Sequence, residues 1–153
     1  MEIRNLMIEV TRKCNIMCEH CLRGEPMNKN ISKVYIDQLL IQVDSISTVT
    51  FTGGEPTLNV LIMNYFLNRV KELNIPISSF YIATNGVKIT EEFILFCLKM
   101  YSYCDEKEFC SVDVSNDIYH SYECDYDISL LSGLSFFKFK FEKNNFDYYR
   151  SAI

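Results

Sequence analysis

What most restricts the fold of this chain is a rhythm. Short runs rich in β-branched and aromatic residues alternate with longer stretches whose apolar residues recur every three to four positions. Residues 3–10 (IRNLMIEV), 48–52 (TVTFT), 79–84 (SFYIAT), 110–115 (CSVDVS) and 135–142 (SFFKFKFE) read as strands. Residues 32–46 read as a helix capped by Ser32, with Val34, Leu39, Leu40, Val43 and Ile46 as its apolar stripe. Residues 58–73 form the next, with Leu58, Ile62, Phe66, Val70 and Leu73 at helical spacing. A third runs from Glu91 to about Tyr103, with Thr90 as cap and two glutamates in its first turn, where the helix dipole favours them. The tyrosine- and aspartate-rich segment 117–132 reads only weakly as helix. Strand alternating with helix at this spacing means βαβ units, a mostly parallel sheet, right-handed crossovers and helices packed outside. The last strand stands apart. Phe137, Phe139 and Phe141 alternate with Lys138, Lys140 and Glu142, as expected of an edge strand with one wetted face. No repeat or linker divides the 153 residues, so one domain is expected over residues 1–153.

In sheets of this kind ligands bind beyond the carboxyl ends of the strands. Here those ends carry distinctive chemistry. The first strand runs into TRKCNIMCEHCLRG, where three of the seven cysteines fall within eight positions, as Cys14-x3-Cys18-x2-Cys21. The second runs into Gly53-Gly54-Glu55-Pro56 and the third into Thr84-Asn85-Gly86. The fourth ends in Asp113, Ser115 and Asn116. Thiolates so close in sequence suit zinc or iron–sulfur ligation. A structural zinc site would need His20 as fourth ligand, and His20 adjoins Cys21, which cramps tetrahedral closure. Three thiolates on a cubane cluster would instead leave one iron open to a substrate or cofactor. Thr84-Asn85-Gly86 alone reads as a turn, with Asn85-Gly86 suited to positive φ. Asp113 alone reads equally well as a helix cap.

Bulk properties narrow the setting. A formal charge of −5 gives no general nucleic-acid footprint. No apolar run approaches membrane-spanning length, and MEIRNLMIEV lacks the pattern of a secretory signal. A cytoplasmic chain with reduced thiols is expected. Cys97 reads as core, while Cys104, Cys110 and Cys124 lie at irregular spacings on different elements and do not suggest a second cluster.

The loop TRKCNIMCEHC followed by FTGGEP resembles the radical S-adenosylmethionine (radical SAM) superfamily, in which a Cx3Cx2C loop follows the first strand and a GGE motif the second. IATNG and SVDVSNDIYH fall where that family's third and fourth strand segments would lie, so the likeness covers roughly residues 5–120. It implies a partial (β/α) barrel of the radical SAM type. It further implies a [4Fe–4S] cluster on Cys14, Cys18 and Cys21, with S-adenosylmethionine (SAM) chelating the fourth iron. Reductive cleavage of SAM would give a 5′-deoxyadenosyl radical that abstracts hydrogen from a substrate. Gly53 and Gly54 would let the backbone approach the methionyl part of SAM. Glu55 would accept from its ammonium group, and Thr84 and Asn85 would border the cofactor. Asp113 or Ser115 would reach the ribose, with Ser111 on the same strand face. His20 stands where the family often places an aromatic residue beside the adenine, and His120 where many members carry a histidine. Asn15 would cap the loop through its side-chain amide, and Arg23 could neutralise cluster or SAM charge.

The family core has six β/α units, whereas five strands are counted here, and LLSGLSFFKFKFE lacks the glycine-rich fifth-strand motif. The expectation is a minimal or C-terminally shortened core whose open side a substrate or partner chain closes. A flavodoxin or ferredoxin would supply the electron, and the substrate would be large or partner-presented, a peptide or protein. The alternative is a non-catalytic or partner-dependent module that binds the cluster and SAM.

Overall fold

The computed structural model describes residues 1–19, 21–116 and 131–141, with only the backbone described at Asn116, Lys140 and Phe141. The expected αβ alternation is present. Strands β1 (Glu2–Thr11), β2 (Ser45–Gly53), β3 (Ile77–Thr84), β4 (Ser111–Asn116) and β5 (Phe137–Phe141) form one sheet in the order β1-β2-β3-β4-β5, every pair parallel. Helices α1 (Lys33–Leu40), α2 (Val60–Glu72) and α3 (Glu91–Tyr103) connect the first four strands. Among the described residues the sheet does not close, because β1 and β5 do not pair with each other; beyond β2, β1 has only an isolated antiparallel bridge from Thr11 to Asn30. No described helix is long and apolar enough to cross a membrane. Most of the weak helix expected over 117–132, with His120 and Cys124, lies outside the described residues, as does His20.

Register explains where the core sits. Ile8, Phe51, Ile82, Val112 and Phe137 form one row across all five strands, and every member is buried. Phe51 meets Phe66 of α2 and Phe96 of α3 edge-on, each at 5.4 Å between ring centroids, so those helices cover this face. The neighbouring rows on the opposite face are mostly polar. Met7, Thr50, Tyr81 and Ser111 form one, and Ala83, Asp113 and Lys138 lie on another. Alternation of apolar and polar residues therefore runs through the inner strands too. It marks a face that no described helix covers, and the Phe/Lys alternation of β5 follows from that face as much as from its edge position.

The helix caps fall where expected. Ser32 Oγ accepts from the Val34 amide and Thr90 Oγ1 from the Phe93 amide. The first helix is shorter than its apolar spacing predicts. It stops at Leu40, buries Ile36 and Leu40, and leaves Val34 exposed, while Ile46 belongs to β2. The chain must reverse there to pair Ser45 with Glu2 and Ile46 with Ile3, and tertiary pairing overrides the helical pattern. The second helix begins later than expected, after a 3-10 turn over Pro56–Asn59, and its buried side includes Met63 and Leu67 rather than Leu73. Cys97 is core, as expected, and Cys104 and Cys110 are also buried.

Candidate functional site

The carboxyl ends of the strands are drawn together by backbone. β1 ends in a register irregularity between Glu9 and Thr11, where Glu9 faces Thr52 and Thr11 faces Gly53. This extra residue re-aims the chain entering the cysteine loop. Beyond it, the Gly54 amide donates to Thr11 O at 2.9 Å and the Glu55 amide to Lys13 O at 2.8 Å. A Cβ on Gly53 would lie 2.2 Å from Thr11 O, and one on Gly54 2.3 Å from Lys13 O. The glycine pair is thus required by the close approach of β2 to the loop that starts after β1. The close chain approach is a reason for the glycine pair that the motif alone does not give.

Glu55 is buried at 1 % exposure and holds three elements at once. Its Oε1 accepts from the Thr57 amide (3.1 Å), the Thr57 hydroxyl (2.8 Å) and the Thr84 hydroxyl (2.7 Å), and its Oε2 from the Asn85 amide (2.8 Å). It also caps the 3-10 turn that Pro56 opens. Burial pushes its carboxyl above the usual range against the pull of these bonds, and no described cation pairs with it. Thr57 was not foreseen as part of the site. Its signal was the Glu-Pro-Thr order, in which a side chain two residues on can close a cap.

Thr84-Asn85-Gly86 is more than a turn. Gly86 adopts φ +74°, as the Asn-Gly pair suggested, and its amide donates to Thr84 Oγ1. Asn85 Nδ2 donates to Asn15 Oδ1 at 2.8 Å and reaches Cys14 Sγ at 3.9 Å. The oxygen of the Asn15 side-chain amide thus ties the cysteine loop to the end of β3. Arg23 ion-pairs with Glu9 and donates to Thr52 Oγ1 at 3.1 Å, and Arg12 joins the same carboxylate at 3.3 Å.

These residues border one cavity of about 210 Å3, lined by Cys14, Cys18 and Cys21 from the loop, Gly53 to Glu55, Thr84 and Asn85, Ser115, and the two arginines. The expected site residues from four strand ends thus meet. Asp113 is not on that wall. It is buried, accepts from Ser111 Oγ at 2.5 Å and from Tyr81 Oη at 3.3 Å, and faces Lys138 in register. None of the described cysteines is in a disulfide. Among the described residues no three Cys, His, Asp or Glu side chains converge as a metal-holding group, so the three thiols share a wall without being gathered on one point. Burial pushes the Cys14 thiol up, and the nearby Glu55 and Cys21 charges add to this.

A comparison with known families matches residues 8–107 to the radical SAM superfamily, the segment that contains every strand end just described except that of β4. The chain belongs to the radical SAM superfamily. Over 98 residues this radical SAM chain is 33% identical to the uncharacterized protein MJ0907 of Methanocaldococcus jannaschii, a match covering 59% of the chain and 33% of that protein. The putative protein YfkA of Bacillus subtilis is 33% identical over 92 residues, covering 58% and 22% respectively. The chain thus matches a third or less of the length of these curated relatives. Among solved structures, native anSMEcpe with bound AdoMet and Cp18Cys peptide is similar in fold, with a TM-score of 0.61 at 19% identity over 91% of the chain and 42% of that structure.

Proposed function

We propose that Cys14, Cys18 and Cys21 hold a [4Fe–4S] cluster and that the chain binds SAM beside it as a radical SAM enzyme. The observation that carries this reading is that all three thiols, the Gly-Gly-Glu turn and Asn85 line the same cavity at the carboxyl ends of β1 to β3. The donor set fits the group, since three soft thiolates suit iron and sulfide. Glu55 fits the second partner. Four protein donors hold the buried carboxylate without neutralising it, and Oε2, which takes only one of these bonds, retains the capacity to accept from an ammonium group. When bound, the pair supplies one-electron cleavage of SAM and a carbon-centred radical that takes hydrogen from a substrate. The chain's own residues orient the partners. Glu55 fixes the ends of β2 and β3, Thr84 is held through its hydroxyl, and Ser115 offers a hydroxyl from the end of β4. Asp113, tied to Ser111 and Tyr81, is a ribose contact only by extension along that strand. Arg12 and Arg23 keep the base of the cysteine loop closed around Glu9. For substrate we put a peptide or protein first, because among the described residues the sheet does not close and the similar structure named above holds a peptide. A flavodoxin or ferredoxin is the proposed electron donor, and a partner chain the proposed closure of the barrel.

The test is anaerobic reconstitution with iron and sulfide, followed by EPR of the reduced protein with and without SAM and a search for 5′-deoxyadenosine. The reading expects about four irons per chain, a spectrum changed by SAM, and 5′-deoxyadenosine on reduction. Cys18→Ala is expected to abolish the cluster. A cluster that ignores SAM would make the chain a binding module without turnover. Bound zinc without iron would overturn both readings.

A further inference from the structure

The side chain of Asn85 is oriented by two bonds that leave it one arrangement. Its Oδ1 accepts from the Val87 amide at 3.0 Å, and a backbone N–H can only donate. The Nδ2 group must then face the other way, where Asn15 Oδ1 lies at 2.8 Å and Cys14 Sγ at 3.9 Å. Its backbone amide is held in turn by Glu55 Oε2. A buried amide is therefore clamped at the end of β3 with one N–H aimed at the loop and within reach of the first thiol. Hydrogen bonds to coordinating sulfur favour the state with more negative charge, and for an iron–sulfur group that is the reduced state.

We infer that Asn85 is a positioning residue for the cluster, holding Cys14 through its side-chain N–H and making the cluster easier to reduce. The inference rests on the cluster reading above and adds to it a residue that ligates nothing. It also gives Glu55 a second task, since Glu55 sets the backbone from which the amide projects.

The experiment compares the reconstituted wild-type chain with Asn85→Ala, which removes the donor without adding charge. The exposed Asn15→Ala leaves the donor and removes one of its guides. Iron per chain and the midpoint potential are measured, the latter by EPR-monitored reductive titration. At a fixed potential near the wild-type midpoint, the ratio of reduced to oxidised cluster is expected to fall about three- to tenfold in Asn85→Ala, tenfold being about 59 mV for one electron. Asn15→Ala is expected to shift it in the same direction and by less. An unchanged midpoint in Asn85→Ala with wild-type iron content overturns the inference and leaves the cluster reading intact. If Asn85→Ala takes up no cluster, Asn15→Ala decides, with a lower midpoint supporting the inference and an unchanged one overturning it. A wild-type chain that takes up no cluster overturns both.

Discussion

Gly54 is a residue whose importance lies in what it does not carry. A methyl group there would press against a backbone carbonyl, which cannot rotate away as a side chain could. Gly54→Ala is expected to cost on the order of 1–3 kcal/mol in urea unfolding. Because the obstructed carbonyl is that of Lys13, it should also lower iron uptake by displacing Cys14. The equivalent change at Gly24, which has a positive φ but open space around it, should cost less in stability and leave iron uptake close to wild type. At this scale the sequence was legible in kind. Cysteines, Gly-Gly-Glu, Thr84-Asn85 and Ser115 could be named from motif and strand end, and they share one wall. What could not be read was which atom faces which. Nothing in Asn15 or Asn85 taken singly announces that an oxygen of one meets a nitrogen of the other across 70 positions. Nor does Asp113 announce that Ser111 and Tyr81 already engage it.

Among the elements, α3 and β2 show how local signals and packing divide the work. Thr90 closes the start of α3, and Thr90→Ala should destabilise the chain by about 1 kcal/mol. Phe51 is wedged between Phe66 and Phe96 and is wholly buried, so Phe51→Ala should cost about 3–5 kcal/mol in the same measurement. The contrast tests whether the helices are held mainly by their own caps or by the sheet. Strands and caps were legible because their signals are local. The end of α1 was not, since Val43 and Ile46 continue a plausible helical stripe. Only the pairing of Ser45 with Glu2 shows that the chain has already turned. The polar face was legible in β4 from the alternation of Ser111, Asp113 and Ser115, but its extension across β2 and β3 was not, because whether helices cover one side of a sheet or both is not written in any single strand.

For the molecule as a whole, the buried Glu55 makes stability depend on pH. Its folded-state carboxyl lies above the ordinary value of 4.5, so the folded chain holds this proton more tightly than the unfolded chain does. Its contribution is fully present below that ordinary value and is lost as pH rises through the folded one. In the cluster-free protein, the urea midpoint of wild type should therefore fall more steeply than that of Glu55→Gln as pH rises above 4.5. Equal slopes would show that the carboxyl is not destabilised by its surroundings. Strand order has a further consequence, for the sequence of assembly. Each strand lies beside its predecessor in the chain, and every lining residue of the thiol cavity except Ser115 falls between positions 12 and 85. Domains made on the ribosome gain structure from the N-terminus onward, and neighbouring pairings cost the least chain closure. A growing chain therefore has nearly the whole cysteine-lined wall in hand once β3 has docked, before β4 and β5 have joined the sheet.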